Sequence, residues 1–320
     1  MTAVDNASNS DQLVVTQRLD RSTSVTEFVL ERRDRRRLPD WAPGAHIDVV
    51  LPSGKIRQYS LCGDRWAPHQ YRIAVQRDDL GGGGSVELHT ELKPGDTISF
   101  GGPRNNFRLA PAQSYRFIAG GIGISALLPM IAQANLLGLE WQLLYLGRNL
   151  ERMAYQELQE RYPERVTVHA SQNAGRISIR EWLGSPPDDT MVYACGPESL
   201  LEALPEACSD LPETTLRTER FTNTMADAIV SSEPYEIKLQ RSGRVVEAPG
   251  NTSVVDVLAN AGVDVITSCS QGVCGTCEVD VLAGEIDHRD AILDDDERAT
   301  NTCMFPCVSR SLSERLVLDL

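Results

Sequence analysis

Five of the eight cysteines crowd into 39 residues: Cys269, Cys274, Cys277, Cys303 and Cys307. The first three stand in Cys269-Ser-Gln-Gly-Val-Cys274-Gly-Thr-Cys277, a C-x4-C-x2-C run. Three thiolates in one short loop, closed by a distant fourth, suit a [2Fe–2S] cluster. Gly272 and Gly275 let the backbone come close and aim N–H groups at sulfur. Zinc is the alternative, but zinc sites favour two close pairs of ligands. Two cysteines compete for the fourth place. Cys307 is preferred, because it sits in Pro306-Cys307-Val308-Ser309 just before a final strand. Cys303 is then a buried bystander.

Two glycine turns offer a different chemistry. Arg57-Gln58-Tyr59-Ser60-Leu61 has strand spacing, which puts Arg57 and Tyr59 on one face and Ser60 on the other. The strand Ala74-Val75-Gln76 follows, then Gly82-Gly83-Gly84-Ser85, a turn opening a short helix. Such a turn presents N–H groups to a phosphate, and Arg57 adds a charge-assisted clamp. Read alone, the four glycines at 81–84 are equally a loop tip. The second turn carries Gly120, Gly121 and Gly123 between a strand and the helix begun by Ser125. It suits a pyrophosphate at a helix N-terminus. Tyr193-Ala194-Cys195-Gly196-Pro197 ends a later strand, and ligands bind at the carboxyl ends of such strands. Cys195 there either meets a reacting ring or fills the core. Arg148, after the strand 142–146, would meet a 2′-phosphate or an adenosine edge.

Three regimes of sequence must position these groups. Residues 13–110 alternate short apolar runs with turns such as Ala42-Pro43-Gly44 and Pro94-Gly95, as an antiparallel barrel or sandwich does. Residues 111–221 alternate buried strands (114–119, 141–146, 166–170, 191–195) with helices (125–137, 156–161, 178–183, 199–208), which predicts a parallel α/β sheet. Residues 222–234 read as a linker and 1–12 as a flexible N-terminus. Residues 235–320 begin with a hairpin around Ser242-Gly243, then a helix over 253–260, the cysteine loop and a strand at 315–320.

Charge excludes some functions. The chain has 45 acidic and 31 basic residues, net −14, which disfavours a nucleic-acid partner. Residues 233–320 hold 16 acids and seven bases, so the cysteine domain is the most acidic part. No signal peptide is evident, and a cytoplasmic protein is expected. The uncharged stretch 117–139 contains Gly120, Gly121, Gly123, Pro129 and Gly138, which fit a strand, turn and helix better than a membrane span. His288 and Arg289 read as an exposed charged stretch.

In this order, the pieces Arg57-x-Tyr59-Ser60-Leu61, Gly83-Gly84-Ser85, Gly120-Gly121-Ile122-Gly123-Ile124, Cys195-Gly196-Pro197 and C-x4-C-x2-C…C resemble the phthalate dioxygenase reductase type of the ferredoxin–NADP reductase superfamily. The resemblance runs from about residue 13 to the end. It implies an FMN-binding barrel, a nicotinamide-nucleotide domain and a β-grasp ferredoxin domain carrying [2Fe–2S]. It further implies that Arg57 and the Gly83-Gly84-Ser85 turn hold the FMN phosphate, with Gln58 and Gly82 also counted among the cofactor-binding residues. Tyr59 and Ser60 meet the isoalloxazine, and Ala74, Val75 and Gln76 line it. Phe221 covers the ring where nicotinamide docks, with Glu219 facing the same pocket. The chain departs from the pattern in having Ser125 where Thr is usual and Gln76 where a basic residue often stands. The implied activity is electron splitting: a hydride from NADH, or else NADPH, leaves as single electrons for a terminal oxygenase. A Rieske non-haem iron oxygenase is the first expectation for that partner and a cytochrome P450 the second. A monomer is expected. A redox sensor, or a stand-alone NADH oxidase or iron reductase, is the alternative of another class.

Overall fold

The computed structural model describes residues 12–212, 215–222 and 233–320. The expected N-terminal tail and nearly all of the expected linker lie outside them. The chain divides into two compact units, Met1–Glu219 and Arg220–Leu320.

The first unit opens with six strands: β1 (Gln12–Asp20), β2 (Val25–Glu31), β3 (His46–Val50), β4 (Ile56–Ser60), β5 (Gln70–Gln76) and β6 (Thr97–Arg104). Their antiparallel order is β4-β3-β6-β1-β2-β5. A bridge between Leu61 and Ile73 joins the two edges and closes the barrel. Phe28, Leu30, Ile47, Val49, Leu61 and Ile73 fill it at 0% exposure, at every second position of their strands. Helix α1 (Gly84–Glu91) starts in the glycine turn as expected.

The rest of this unit is a parallel sheet in the order β11-β10-β7-β8-β9. Its strands are β7 (Ser114–Gly120), β8 (Glu140–Gly147), β9 (Val166–Ala170), β10 (Thr190–Cys195) and β11 (Leu216–Glu219). Helices α2 (Ile124–Leu136), α3 (Glu157–Arg161), α4 (Ser171–Ala174) and α5 (Ile179–Leu183) connect them. The helix expected over 199–208 is two pieces, α6 (Glu198–Leu201) and α7 (Leu204–Ala207). Pro205 has no N–H to continue the first piece, so it starts the second. The barrel and the sheet share one core, with Val25, Ala74 and Phe107 packed among Tyr115, Phe117 and Tyr193. The joining segment is pinned by two phenols: Tyr193 donates to the Arg108 carbonyl (2.9 Å) and Tyr115 to that of Ala110 (2.8 Å).

The second unit holds β12 (Tyr235–Leu239), β13 (Val245–Ala248), β14 (Val279–Ala283), β15 (Ile286–Asp287), β16 (Cys303–Met304), β17 (Arg310–Ser311) and β18 (Arg315–Leu318). The main sheet runs β13-β12-β18-β14-β16. Helix α8 (Val254–Asn260) packs Val254, Val257 and Leu258 into its core, and the Ser253 hydroxyl accepts from the Asp256 N–H as N-cap. Helix α9 (Asp295–Thr300) escaped the sequence reading. Its capping box, Asp294 with Glu297, is a signal that would have found it.

Candidate functional site

At the barrel turn, Gly83 is left-handed and no side chain caps α1, so its first-turn N–H groups are open to an anion. Arg57 lies against this turn: a Cβ on Gly84 would come within 3.1 Å of its Cγ, and one on Gly82 within 3.0 Å of its Nη2. Lys55 Nζ donates to the Gly82 carbonyl at 3.0 Å, adding a second cation. The cradle therefore fits a phosphate. Two expected contacts are differently employed. The Ser85 hydroxyl accepts from the Asp78 N–H (3.0 Å) and thus ties down the preceding loop. The Gln58 amide donates to Asp48 (2.8 Å), which also pairs with Arg104.

The residues expected to line the ring separate by strand parity. Ala74 belongs to the core shared with the parallel sheet, whereas Val75 points into the barrel. The Val75 carbonyl lies 2.9 Å from His89 Nε2 of α1. Gln76 reaches the second glycine turn, its Oε1 3.7 Å from where a Cβ on Gly121 would stand. Tyr59 is half-buried against the barrel core, and burial pushes its phenol pKa well up, so it stays neutral. Ser60 is buried at the end of β4, opposite His46.

The two turns of the parallel sheet touch. A Cβ on Gly196 would lie 2.9 Å from the Gly120 Cα, and one on Gly120 would lie 2.6 Å from Pro197 Cδ. A Cβ on Gly123 would collide with the Cys195 carbonyl. Only bare backbone fits, which lets the two turns approach closely at adjacent strand ends. Ser125 is buried, and its hydroxyl donates back to the Ile122 carbonyl (2.9 Å), holding the turn rather than facing outward.

At the same strand ends Cys195 is paired in register with Ala119 on one side and Glu219 on the other. The thiol is fully buried, and burial, with the Glu219 charge adding to it, keeps it protonated. Glu219 Oε2 is covered and has no hydrogen-bond partner among the described residues. Burial raises that carboxyl to about 8. Arg148 is exposed in the turn after β8. Phe221 belongs to the second unit and is 38% exposed.

In the second unit Ser270, Gly272 and Gly275 adopt left-handed φ of 55°, 66° and 74°, which curls the cysteine loop tightly. The thiols come in two pairs. Cys277 and Cys307 lie 3.3 Å apart, sulfur to sulfur, and Cys269 interacts directly with Cys274. No group of three metal-capable side chains closes on one point among the described residues. Two pairs rather than one cage is what two irons with two thiolates each require. In each pair one thiol is held low, Cys274 by its bond to Cys269 and Cys277 by its bond to Cys307. The Gln271 N–H donates to Cys269 (3.3 Å), and Thr276 Oγ1 sits 3.1 Å from Cys274 Sγ, so sulfur-directed donors are in place. Cys303 stands apart on β16. Burial raises its thiol, as do the charges of Glu278, Asp290 and Asp280.

One expectation is overturned. His288 and Arg289 are not an exposed stretch. The Arg289 side chain is 7% exposed and bonds to Asp287, and that of His288 is 9% exposed, 3.5 Å from Asp290. Asp290 in turn accepts from the Ile292 and Leu293 N–H groups (3.2 and 2.9 Å), so this segment is a buried, hydrogen-bonded turn. Three charged side chains around one histidine suggest solvent, but pairing of Arg289 with Asp287 and backbone bonds to Asp290 let them be covered.

The description "2Fe-2S iron-sulfur cluster binding domain" matches residues 237–311. The chain is 37% identical to the putative toluene-4-sulfonate monooxygenase system reductase subunit of Comamonas testosteroni, covering 92% of this chain and 94% of that one. It is also 37% identical to phthalate dioxygenase reductase of Burkholderia cepacia, over 88% and 89%. Among solved structures, phthalate dioxygenase reductase superposes with a TM-score of 0.71 at 35% identity, over 97% of both chains. An intact type IV self-sufficient cytochrome P450 monooxygenase gives 0.90 at 37% identity, over 97% of this chain and 41% of the other. The chain thus spans about two fifths of that P450's length.

Proposed function

The chain belongs to the phthalate dioxygenase reductase-type family, and on that premise we propose which residues do its work and which partner it serves. It is an NAD(P)H-dependent flavin and iron–sulfur oxidoreductase, the reductase component of an oxygenase system. When bound, FMN accepts the nicotinamide hydride and the [2Fe–2S] cluster carries electrons onward one at a time. The observation that carries the residue assignments is the grouping of the four thiols of the second unit as two pairs, together with two glycine-built phosphate cradles within the first.

On this reading Arg57, Lys55 and the α1 N-terminus hold the FMN phosphate. Tyr59, Ser60, Ala74 and Gln76 border the ring. Gly120, Gly121, Gly123, Gly196 and Pro197 receive the dinucleotide, and Arg148 its adenosine end. Cys269, Cys274, Cys277 and Cys307 ligate the irons.

Cys195 and Glu219 flank the place where the nicotinamide ring gains positive charge as hydride leaves. A neutral Glu219 gives that charge little help, and an ionised one stabilises it. We expect the rate of flavin reduction by NADH to rise a few-fold as pH passes about 8, and the rise to vanish in Glu219→Gln. Stability runs the other way. The folded carboxyl titrates above its ordinary 4.5, so its stabilisation is full below 4.5 and is lost as pH climbs to about 8. Stopped-flow reduction across pH 6–9 checks the first, and thermal melts over the same range the second.

The partner we infer is a separate Rieske-type oxygenase, met by a monomeric reductase in the cytoplasm. No helix among the described residues is long and apolar enough to cross a membrane. A P450 acceptor is the second reading, favoured by the 0.90 superposition on a P450-fused chain. In either case the net −9 of residues 233–320 steers the cluster domain to a basic surface. Turnover with the oxygenase is therefore expected to fall about tenfold or more between 50 and 500 mM salt. Ferricyanide reduction by NADH should change little. Salt-insensitive oxygenase turnover would contradict the steering.

A further inference from the structure

A buried ionic cluster ties the barrel to the loop that follows β8, and none of the functions above uses it. Glu27 on β2 is 2% exposed. Its carboxylate accepts from Arg21 (3.1 Å at each oxygen), from Arg72 on β5 (3.0 Å) and from the Tyr155 hydroxyl (2.7 Å). Burial alone would raise the Glu27 carboxyl, but the Arg21 and Tyr155 hydrogen bonds and the two guanidinium charges outweigh it and keep it ionised. The Arg21 guanidinium also lies over the Tyr155 ring, 5.5 Å from its centroid.

Around this cluster the β1–β2 turn grips the same loop by its backbone. The Thr23 N–H and hydroxyl both donate to the Glu151 carbonyl (3.0 and 2.9 Å), and the Ser22 hydroxyl donates to that of Arg152 (3.0 Å). The loop is also braced on itself, with the Gln156 amide donating to the Leu150 and Met153 carbonyls (2.6 and 2.7 Å). Tyr155 holds φ of 60°, a left-handed conformation that an aromatic residue rarely adopts and that persists only where its surroundings impose it. The loop leaves the carboxyl end of β8, where a dinucleotide binds in such sheets, and it contains Arg148. Arg72 lies on β5 two residues before Ala74 and four before Gln76, so one strand carries both the clamp and the side chains facing the second glycine turn.

We propose that Tyr155 and Glu27 are positioning residues for hydride transfer: their hydrogen bond fixes the dinucleotide-side loop on the barrel, and so fixes where nicotinamide stands against the flavin. The inference rests on the reading that NADH binds at the strand ends of the parallel sheet. Tyr155→Phe keeps the ring and its packing and removes only the hydroxyl. It leaves Glu27 with both arginines.

The test compares wild type, Tyr155→Phe and Glu27→Gln as full-length holoproteins. NADH affinity and flavin reduction are followed by stopped flow, backbone amide exchange over residues 147–156 by mass spectrometry, and stability by thermal melting. In Tyr155→Phe we expect the maximal rate of flavin reduction to fall by about tenfold or more, the scale on which small misplacements of reactants act. Amides of 147–156 exchange faster, while the melting midpoint moves by only a few degrees. Glu27→Gln shifts rate and exchange in the same direction. Electrons supplied by photoreduction, bypassing NADH, reach the cluster at the wild-type rate in both variants. Unchanged reduction kinetics in a folded Tyr155→Phe would overturn the proposal. So would a loss that appears only at temperatures where the variant melts. Failure of NADH to reduce the wild-type protein would instead overturn the reading beneath it.

Discussion

Cys307→Ser abolishes the low-temperature EPR signal of the reduced [2Fe–2S] centre, and Cys303→Ser leaves it intact. This is the largest difference expected between two substitutions of the same residue type four positions apart. Cys307 lies 3.3 Å from Cys277, within the group of four thiols. Cys303 sits on β16 among acidic side chains that disfavour its thiolate. Second-shell changes at metal sites cost about 10–100-fold, so loss of a ligand should cost at least about 100-fold in electron delivery to the oxygenase. NADH–ferricyanide activity is expected to survive in both variants, because neither substitution lies in the first unit. Iron content, EPR and the two assays together read the result. An intact signal in Cys307→Ser, or its loss in Cys303→Ser, would contradict the ligand assignment.

The second large effect is expected at Gly123. Its added methyl would enter the Cys195 carbonyl and come within 2.8 Å of the Gly196 nitrogen, both backbone atoms that cannot swing aside. Gly123→Ala must therefore separate the two turns. Overpacking of this kind costs about 1–3 kcal/mol in stability. Misplacing a bound reactant by about 1 Å costs on the order of 100-fold in rate. Flavin reduction by NADH should thus slow by about 100-fold in a protein that still binds FMN and assembles its cluster. A rate within threefold of wild type would show that the close approach of the turns does not position the dinucleotide.

Signals confined to short stretches of chain were legible in the sequence. The C-x4-C-x2-C loop, the two glycine turns and the period-two strands of barrel and hairpin are all local, and the structure has elements at those places. Features made by distant apposition were not legible. Glu27, Arg72 and Tyr155 lie far apart in sequence and carry no motif, so their cluster exists only after the barrel and sheet pack. Ser85 and Ser125 stood in ligand motifs, yet their hydroxyls serve the turns themselves, since hydroxyls near a turn readily bond its own backbone. The 287–290 segment has the composition of a solvated loop, yet in the folded domain Arg289 pairs with Asp287 and Asp290 accepts from two backbone N–H groups.

The central claim is a continuous electron path from NADH through flavin to one cluster per chain. Anaerobic titration of the purified protein with NADH, followed by absorbance and low-temperature EPR, tests it most directly. The account predicts bleaching of the flavin band together with a rhombic signal integrating to one reduced [2Fe–2S] centre per chain. A bleached flavin with no such signal would contradict it and leave a plain flavin reductase.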